Sequence, residues 1–422
     1  MKTADGCKLF GAHQALTGIQ GGVVLLHSVV GCNFGSMAFH AACDMADIRQ
    51  TCTVISDSDV IFGGEESLSR ALRHAEELCS PEVIFLVTGC VSDIIQDDVH
   101  SAAKAFQGRA RVVTVEAAGY RGGLEDGYEA ALTSLSELMS PLPTAEIPAI
   151  NLLGLGADDH RAGPDLEALR GLLHGKVRLN TVLSRCSLEE LRRAPSAGLN
   201  VVLGRGVGLA REMERRFGIP FEVLDYPYGL TGAEGLWHCL ERRFGLDFSE
   251  ERASFRRRTA EGLRPVYSYL QALYGMPVSL IGSGARSRGM ARFLIRELGM
   301  EVACQAEREA LTDLEDFFDR VRASETAVLF GSSFEAELAE ELEIPLLRYD
   351  YPVFDRLCVT CRPYVGAEGT LCLTEDLLNE SMGTWNQKGA LYQGKRSVST
   401  ARVASASPPP WPTWRPRWQR RV

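Results

Sequence analysis

Three cysteines stand in settings where a thiol can do chemistry. Cys32 closes the loop His27-Ser28-Val29-Val30-Gly31-Cys32, which follows the apolar run Val23-Val24-Leu25-Leu26. Cys90 lies in Thr88-Gly89-Cys90 after Val83-Ile84-Phe85-Leu86-Val87, and Cys7 precedes Lys8-Leu9-Phe10-Gly11 near the amino terminus. Thiolates at strand ends beside small glycines can approach a bulky iron–sulfur cluster, whose irons take soft sulfur ligands. The same pattern also fits three buried structural cysteines, because free Cys is among the most buried residue types. The chain holds twelve cysteines, with no amino-terminal hydrophobic signal segment and no apolar run of about 18 residues. A reducing, cytoplasmic setting without a membrane span is therefore expected.

Such loops need strands and helices to position them. Short β-branched runs recur at Val23–Leu26, Val83–Val87, Arg111–Val115, Val201–Leu203, Val278–Ile281 and Ala327–Phe330, each bounded by Gly, Ser or Asp and usually followed by a helix-compatible segment. This alternation predicts an α/β fold of doubly wound parallel sheets covered by helices on both faces. Leu209–Phe217 and Met290–Leu298 carry apolar residues at three- and four-residue spacing and end at Gly218 and Gly299, as helices do. In open sheets of this kind ligands sit at the carboxyl ends of strands, where Cys32 and Cys90 fall.

A length of 422 residues allows two or three domains. Breaks at Pro141-Leu142-Pro143 and Arg264-Pro265 predict three α/β domains, over 1–145, 146–265 and 266–390. From Leu391 to Val422 the sequence has seven basic residues, no acidic one, five prolines and three of the five tryptophans. Prolines at 408–410, 412 and 416 remove backbone donors, so this tail is expected to be disordered. The formal net charge is −10, and without the tail the body is more acidic still. Neither nucleic acid nor anionic lipid is an expected partner of the body.

Other motifs lead less far. Cys358-Val359-Thr360-Cys361 with Cys372 offers one Cys-x-x-Cys pair and no second pair to complete a zinc site, so these read as packing or surface thiols. Gly282-Ser283-Gly284 through Gly289 opens a helix after a strand but misses the glycine spacing of dinucleotide and phosphate loops, which predicts a tight turn. Cys43, Cys52, Cys79, Cys186, Cys239 and Cys304 read as core thiols in mostly helical settings. His27 reads as a structural histidine or a residue behind the ligands, and Asp97 and Asp98 as polar residues on the helix after Cys90.

The spacing Cys7, Cys32, Cys90 resembles that of the nitrogenase component-one superfamily, in particular its β-type subunits. Ser56–Glu65, containing Phe62-Gly63-Gly64, resembles the family's phenylalanine–diglycine segment, and Thr88–Asp98 its third-cysteine helix start with paired aspartates. Ile150–Gly154 resembles the strand opening the second domain, and Phe217–Pro220 with Tyr228–Leu230 that domain's end. Glu343–Arg356 with Tyr364–Gly369 resembles the β-type closing segment.

That resemblance implies homologous three-domain subunits paired as an α2β2 heterotetramer, with an iron–sulfur cluster where the two types meet. Cys7, Cys32 and Cys90 match the β-side ligands of the cluster, an eight-iron P-cluster type or a four-iron cluster. It relays electrons from an ATP-dependent iron protein to an active-site metal cluster in the α-type subunit. The α-type cofactor ligands are missing here. Gly204 stands at the cysteine position, and all eight histidines lie at or before His238.

Two departures stand out: the Ser-Gln pair usual before the second cysteine is Val29-Val30 here, and the turn that carries a serine ligand in some members is Gly122-Gly123. They favour a nitrogenase-like reductase, such as a methylthio-alkane reductase, over a nitrogen-fixing enzyme, with a non-catalytic cofactor-assembly scaffold as the alternative. A cluster-free nucleotide-binding α/β protein is the third reading.

Overall fold

The computed structural model describes residues 6–39 and 49–387; Cys43 and the tail beyond Leu391 lie outside the described residues. Helix α1 (Lys8–Leu16) leads through β1 (Ile19–Gln20) into β2 (Gly22–His27), and helix α2 (Val30–Phe39) follows. Strand β3 (Gln50–Cys52), helices α3 (Asp57–Phe62) and α4 (Glu65–Cys79), β4 (Val83–Thr88), helix α5 (Cys90–Ile94) and β5 (Arg111–Glu116) complete the first sheet, in the order β3-β2-β4-β5. Every pairing in it is parallel.

The central strands of this sheet are apolar without a break because both faces are covered. Val23, Leu25, Ile84 and Leu86 pack with Leu68 and Leu72 of α4. Their neighbours Val24, Leu26, Phe85 and Val87 point the other way and pack with Leu9 and Leu16 of α1 and Tyr128. Each of these fully buried side chains contributes about 1.5–3 kcal/mol of hydrophobic stabilisation.

The second sheet uses β6 (Ala149–Leu153), β7 (Arg178–Val182), β9 (Leu199–Val202) and β10 (Phe221–Val223), in the order β10-β9-β6-β7, while β8 (Cys186–Ser187) pairs with β1. The third uses β11 (Pro277–Gly282), β12 (Glu301–Glu307), β13 (Val328–Gly331) and β14 (Leu346–Arg348), in the order β12-β11-β13-β14. All three share one plan: the first strand has its successor on one side and the next two on the other. Each sheet therefore has a topological switch point, between β2 and β4, β6 and β9, and β11 and β13.

The predicted helix ending at Gly218 spans Val207–Phe217, with Gly218 left-handed at φ 71°. The one predicted over Met290–Leu298 begins earlier and covers Gly284–Arg296. The last helix, Gly366–Gln387, returns from the third sheet to pack on helices Ala162–Leu173, Gly229–Phe244 and Ser249–Leu263 around the second. Among the described residues no helix is long and apolar enough to cross a membrane.

Candidate cluster site

Two of the three cysteines sit at the first switch point, Cys32 on the loop leaving β2 and Cys90 on the loop leaving β4. Cys32 lies in the first turn of α2, and Cys90 is the first residue of α5. Cys7 reaches the same place from outside the sheet. It caps α1, its carbonyl accepting the Phe10 and Gly11 amides at 3.1 and 3.3 Å, and it bridges to Gly123.

Its position follows from a crossing of backbones. A Cβ on Gly11 would lie 1.7 Å from the Leu124 carbonyl oxygen, and one on Gly127 would lie 1.8 Å from that of Lys8. Only glycine permits α1 and helix Leu124–Ser134 to lie this close.

Gly119 forms the floor between two of the thiols. Its N–H donates to the Cys90 sulfur at 3.1 Å, and a Cβ there would stand 3.4 Å from the sulfurs of both Cys7 and Cys90. Burial pushes the Cys7 thiol up; the Phe10 and Leu9 amides pull it back, and the nearby Cys32 and Cys90 sulfurs raise it further. Cys32 and Cys90 thus both lie within electrostatic reach of Cys7.

A fourth thiol joins them. Cys52, read from the sequence as a core thiol, ends β3 beside β2 and packs against the core of the first sheet. It is half-buried, its sulfur 3.4 Å from the Ser28 carbonyl and from the Val54 amide, and Cys32 adds to the burial that raises its thiol. Cys304 likewise lies on a strand, β12, and Cys186 on β8; Cys79 and Cys239 are helical.

Around these cysteines the surface is apolar and open. Phe34 is 75% exposed, and Val30, Ile94 and Tyr120, each close in sequence to Cys32, Cys90 or Gly119, are also exposed, as are Ile61 and Phe62 (86%) before the Gly63-Gly64 turn. A patch of this kind marks an interaction surface.

The centre where the three sheets meet is filled. The Arg205 guanidinium lies 3.7 Å over the Tyr128 ring, 2.9 Å from Glu125 and 2.7 Å from Gln14 of α1. Arg286 lies 3.9 Å over the Tyr226 ring, 3.1 Å from Asp159 and 3.5 Å from Asp350. Gly204, at φ 85°, precedes Arg205, so side chains and ion pairs occupy the space beside the position that an α-type cysteine would take. The tight turn predicted at Gly282–Gly284 is present, and the chain's own carboxylates take its amides: Asp350 accepts from Ser283, and Glu309 from Gly284 at 2.7 Å.

Asp97 and Asp98 are not on the helix after Cys90. That helix ends at Ile94, Asp98 caps the next one, and Asp97 turns inward to His27 at 2.9 Å. No sequence spacing pointed to that contact.

Among the described residues, no three His, Cys, Asp or Glu side chains converge closely enough to hold a single metal ion. A cluster of several irons spans its ligands rather than sitting at one point between them. The donor set at the switch point is all sulfur, partly exposed, and has a glycine floor without a Cβ, so the residues present fit an iron–sulfur cluster.

The fold is that of a solved nitrogenase component. "Nitrogenase Cp1 at pH 6.5" superposes with a TM-score of 0.78 at 17% identity, covering 95% of this chain and 96% of that one. The nitrogenase molybdenum-iron protein beta chain of Methanococcus maripaludis is 23% identical over 88% of this chain and 92% of its own length. The nitrogenase iron-molybdenum cofactor biosynthesis protein NifE of Clostridium pasteurianum is 31% identical over 76% of this chain and 72% of its own. With residues 7–382 matching the family described as Nitrogenase component 1 type Oxidoreductase, the chain belongs to that family.

Proposed function

We propose that the chain is the β-type subunit of a two-component reductase. It holds an iron–sulfur cluster through Cys7, Cys32 and Cys90 at a face shared with a homologous α-type subunit. Electrons arrive from an ATP-dependent iron protein and pass to the active-site metal cluster of that subunit. The observation that carries this reading is the shared floor at Gly119, which two of the three thiols face on an exposed apolar surface.

The cluster supplies one-electron chemistry, and the residues of this chain set its conditions. Three thiolates would anchor it, and the Gly119 amide aimed at the Cys90 sulfur stabilises negative charge on that sulfur. Phe34 and Phe62, once covered by the partner, exclude water and lower the local dielectric. The filled centre around Arg205 and Arg286 supports a relay role, with the substrate-reducing metal held by the partner.

Anoxic purification of the chain with its partner tests this. Iron and sulfide in the complex, with the broad absorbance of thiolate-bound iron, are expected, and both should fall in Cys32→Ala and in Cys90→Ala. A complex without iron, or full iron in both variants, overturns the assignment.

A second reading, a non-catalytic scaffold on which the metal cofactor is built, draws on the 31% identity to NifE, higher than the 23% to the beta chain. Turnover of dinitrogen or a methylthio-alkane with the cognate iron protein would sink it. Transfer of cofactor onward without turnover would support it.

A further inference from the structure

The inward turn of Asp97 has a chemical setting of its own. His27 ends β2 and its side chain is fully buried. One ring nitrogen, Nε2, is 2.9 Å from Asp97 Oδ2, and the other, Nδ1, is 3.1 Å from the Thr53 hydroxyl. Burial lowers the His27 pKa, and Asp97 pulls it back up. A carboxylate only accepts, so Nε2 carries a proton toward Asp97. The second Asp97 oxygen accepts the Gly64 amide at 2.8 Å.

The main chain extends the connection. The His27 carbonyl accepts the Gly89 amide at 3.0 Å, directly before Cys90, and the Asp97 amide donates to the Ser92 carbonyl of α5 at 3.1 Å. Ser28, the next residue, accepts the Ile55 amide at 3.0 Å, beyond Cys52. One buried pair therefore touches the strand leading to Cys32, the residue before Cys90, the helix that Cys90 begins and the Gly63-Gly64 turn behind exposed Phe62. A Cβ on Gly64 would lie 2.5 Å from Asp97 Oδ2, so the turn is fitted to the carboxylate.

Buried polar pairs are costly unless their partners are met, and here His27 has a partner at both ring nitrogens and Asp97 at both oxygens. Removing the carboxylate leaves the Gly64 amide and His27 Nε2 without partners at the junction of the two cysteine loops.

We propose that His27 and Asp97 are positioning residues that hold the Cys32 loop, the Cys90 loop and the Phe62–Gly64 turn in one arrangement, and so tune the cluster without ligating it. This rests on the iron–sulfur reading above. It adds that the separation of two ligands is set by a pair of residues 70 positions apart, neither of which touches the metal.

The experiment uses the anoxically purified complex, wild type against Asp97→Ala, Asp97→Asn and His27→Gln. Asp97→Ala is expected to shift the reduction midpoint potential and the electron paramagnetic resonance spectrum. Amide exchange at Gly64 and Gly89 should also speed up by about tenfold, as loss of a buried hydrogen bond implies. Asp97→Asn keeps an acceptor for Gly64 and should fall between Asp97→Ala and wild type. A general loss of stability would not produce that rescue or move the spectrum.

Unchanged potential, spectrum and exchange in Asp97→Ala overturn the proposal. If that variant does not accumulate, His27→Gln is read instead, and no change in any of the three overturns it equally. A wild-type complex without iron refutes the cluster reading rather than this one. Exchange at Gly64 and Gly89 then still decides whether the pair holds the loops.

Discussion

Cys7 and Cys90 face the same glycine. A Cβ on Gly119 would stand 3.4 Å from each of their sulfurs and 3.0 Å from the Cys7 Cβ. Two segments far apart in sequence thus meet over a floor one methyl group thick. Gly119→Ala should push the thiols apart while leaving the sheets intact. Cluster retention is expected to fall on the order of tenfold, the usual cost of disturbing residues behind a metal ligand. Iron per chain after anoxic gel filtration, read beside an unchanged circular dichroism spectrum, checks this.

Phe34 is 75% exposed beside Cys32, and substitution there touches no core contact. Phe34→Asp should abolish co-purification of the partner while changing the stability of the isolated chain by less than about 0.5 kcal/mol. Retention of the partner would move the shared face elsewhere.

Arg286 is buried between Asp159 and Asp350 with Tyr226 beneath it. Arg286→Ala removes the cation shared by two buried carboxylates, leaving Asp159 to Arg205 at 3.9 Å, and should cost about 3–5 kcal/mol in chemical unfolding. Arg286→Met in an Asp159→Asn background should recover part of that loss, because the stranded charge is removed with the cation.

His160 is held neutral inside the protein. Burial and the positive field of Arg161, Arg286, Arg348 and Arg356 lower its pKa from 6.5 to about 3. The unfolded chain takes up the proton near pH 6.5, whereas the folded chain resists it. Stability from this group is thus complete above pH 6.5 and is lost as pH falls toward 3. Between neutral pH and about pH 5 the loss should be about 2 kcal/mol. His160→Gln should flatten that part of the stability profile, measured by urea unfolding at each pH.

Cys358 and Cys361 are both exposed, and no third ligand converges on them among the described residues. The double change to serine should leave iron content and the visible spectrum unaltered.

The parallel sheets were legible in the sequence because strands buried on both faces leave continuous runs such as Val83–Val87, which need no knowledge of the partner strand. Cys32 and Cys90 were legible for a related reason: strand, glycine and cysteine are adjacent in the chain, so a local reading puts both thiols at strand ends. Contacts made across the fold left no such trace. Asp97 looks like any polar residue until the turn after α5 brings it to His27, and Arg205 and Arg286 look like surface cations until three sheets close over them. Nothing in the chain marked Cys52 as a neighbour of Cys32, because β3 is three residues long, too short for its alternation to register. Where Gly11 and Gly127 cross, a pattern was present, yet two glycines in separate helices become informative only once the helices are known to touch.

The final helix changes how the molecule can be made. Leu373, Leu377 and Leu378 of Gly366–Gln387 complete a core with Leu166, Trp237 and Phe255, which belong to the middle of the chain. The first sheet's core is completed by Leu188, Leu209 and Met213, so this part can fold once the chain has passed Gly218, well before its end. The second sheet's core instead waits for a segment translated after the entire third sheet. Nascent chains therefore pass through a stage with this core open, which makes them clients for chaperones. Messages truncated ahead of Gly366 should yield protein that is degraded rather than stored.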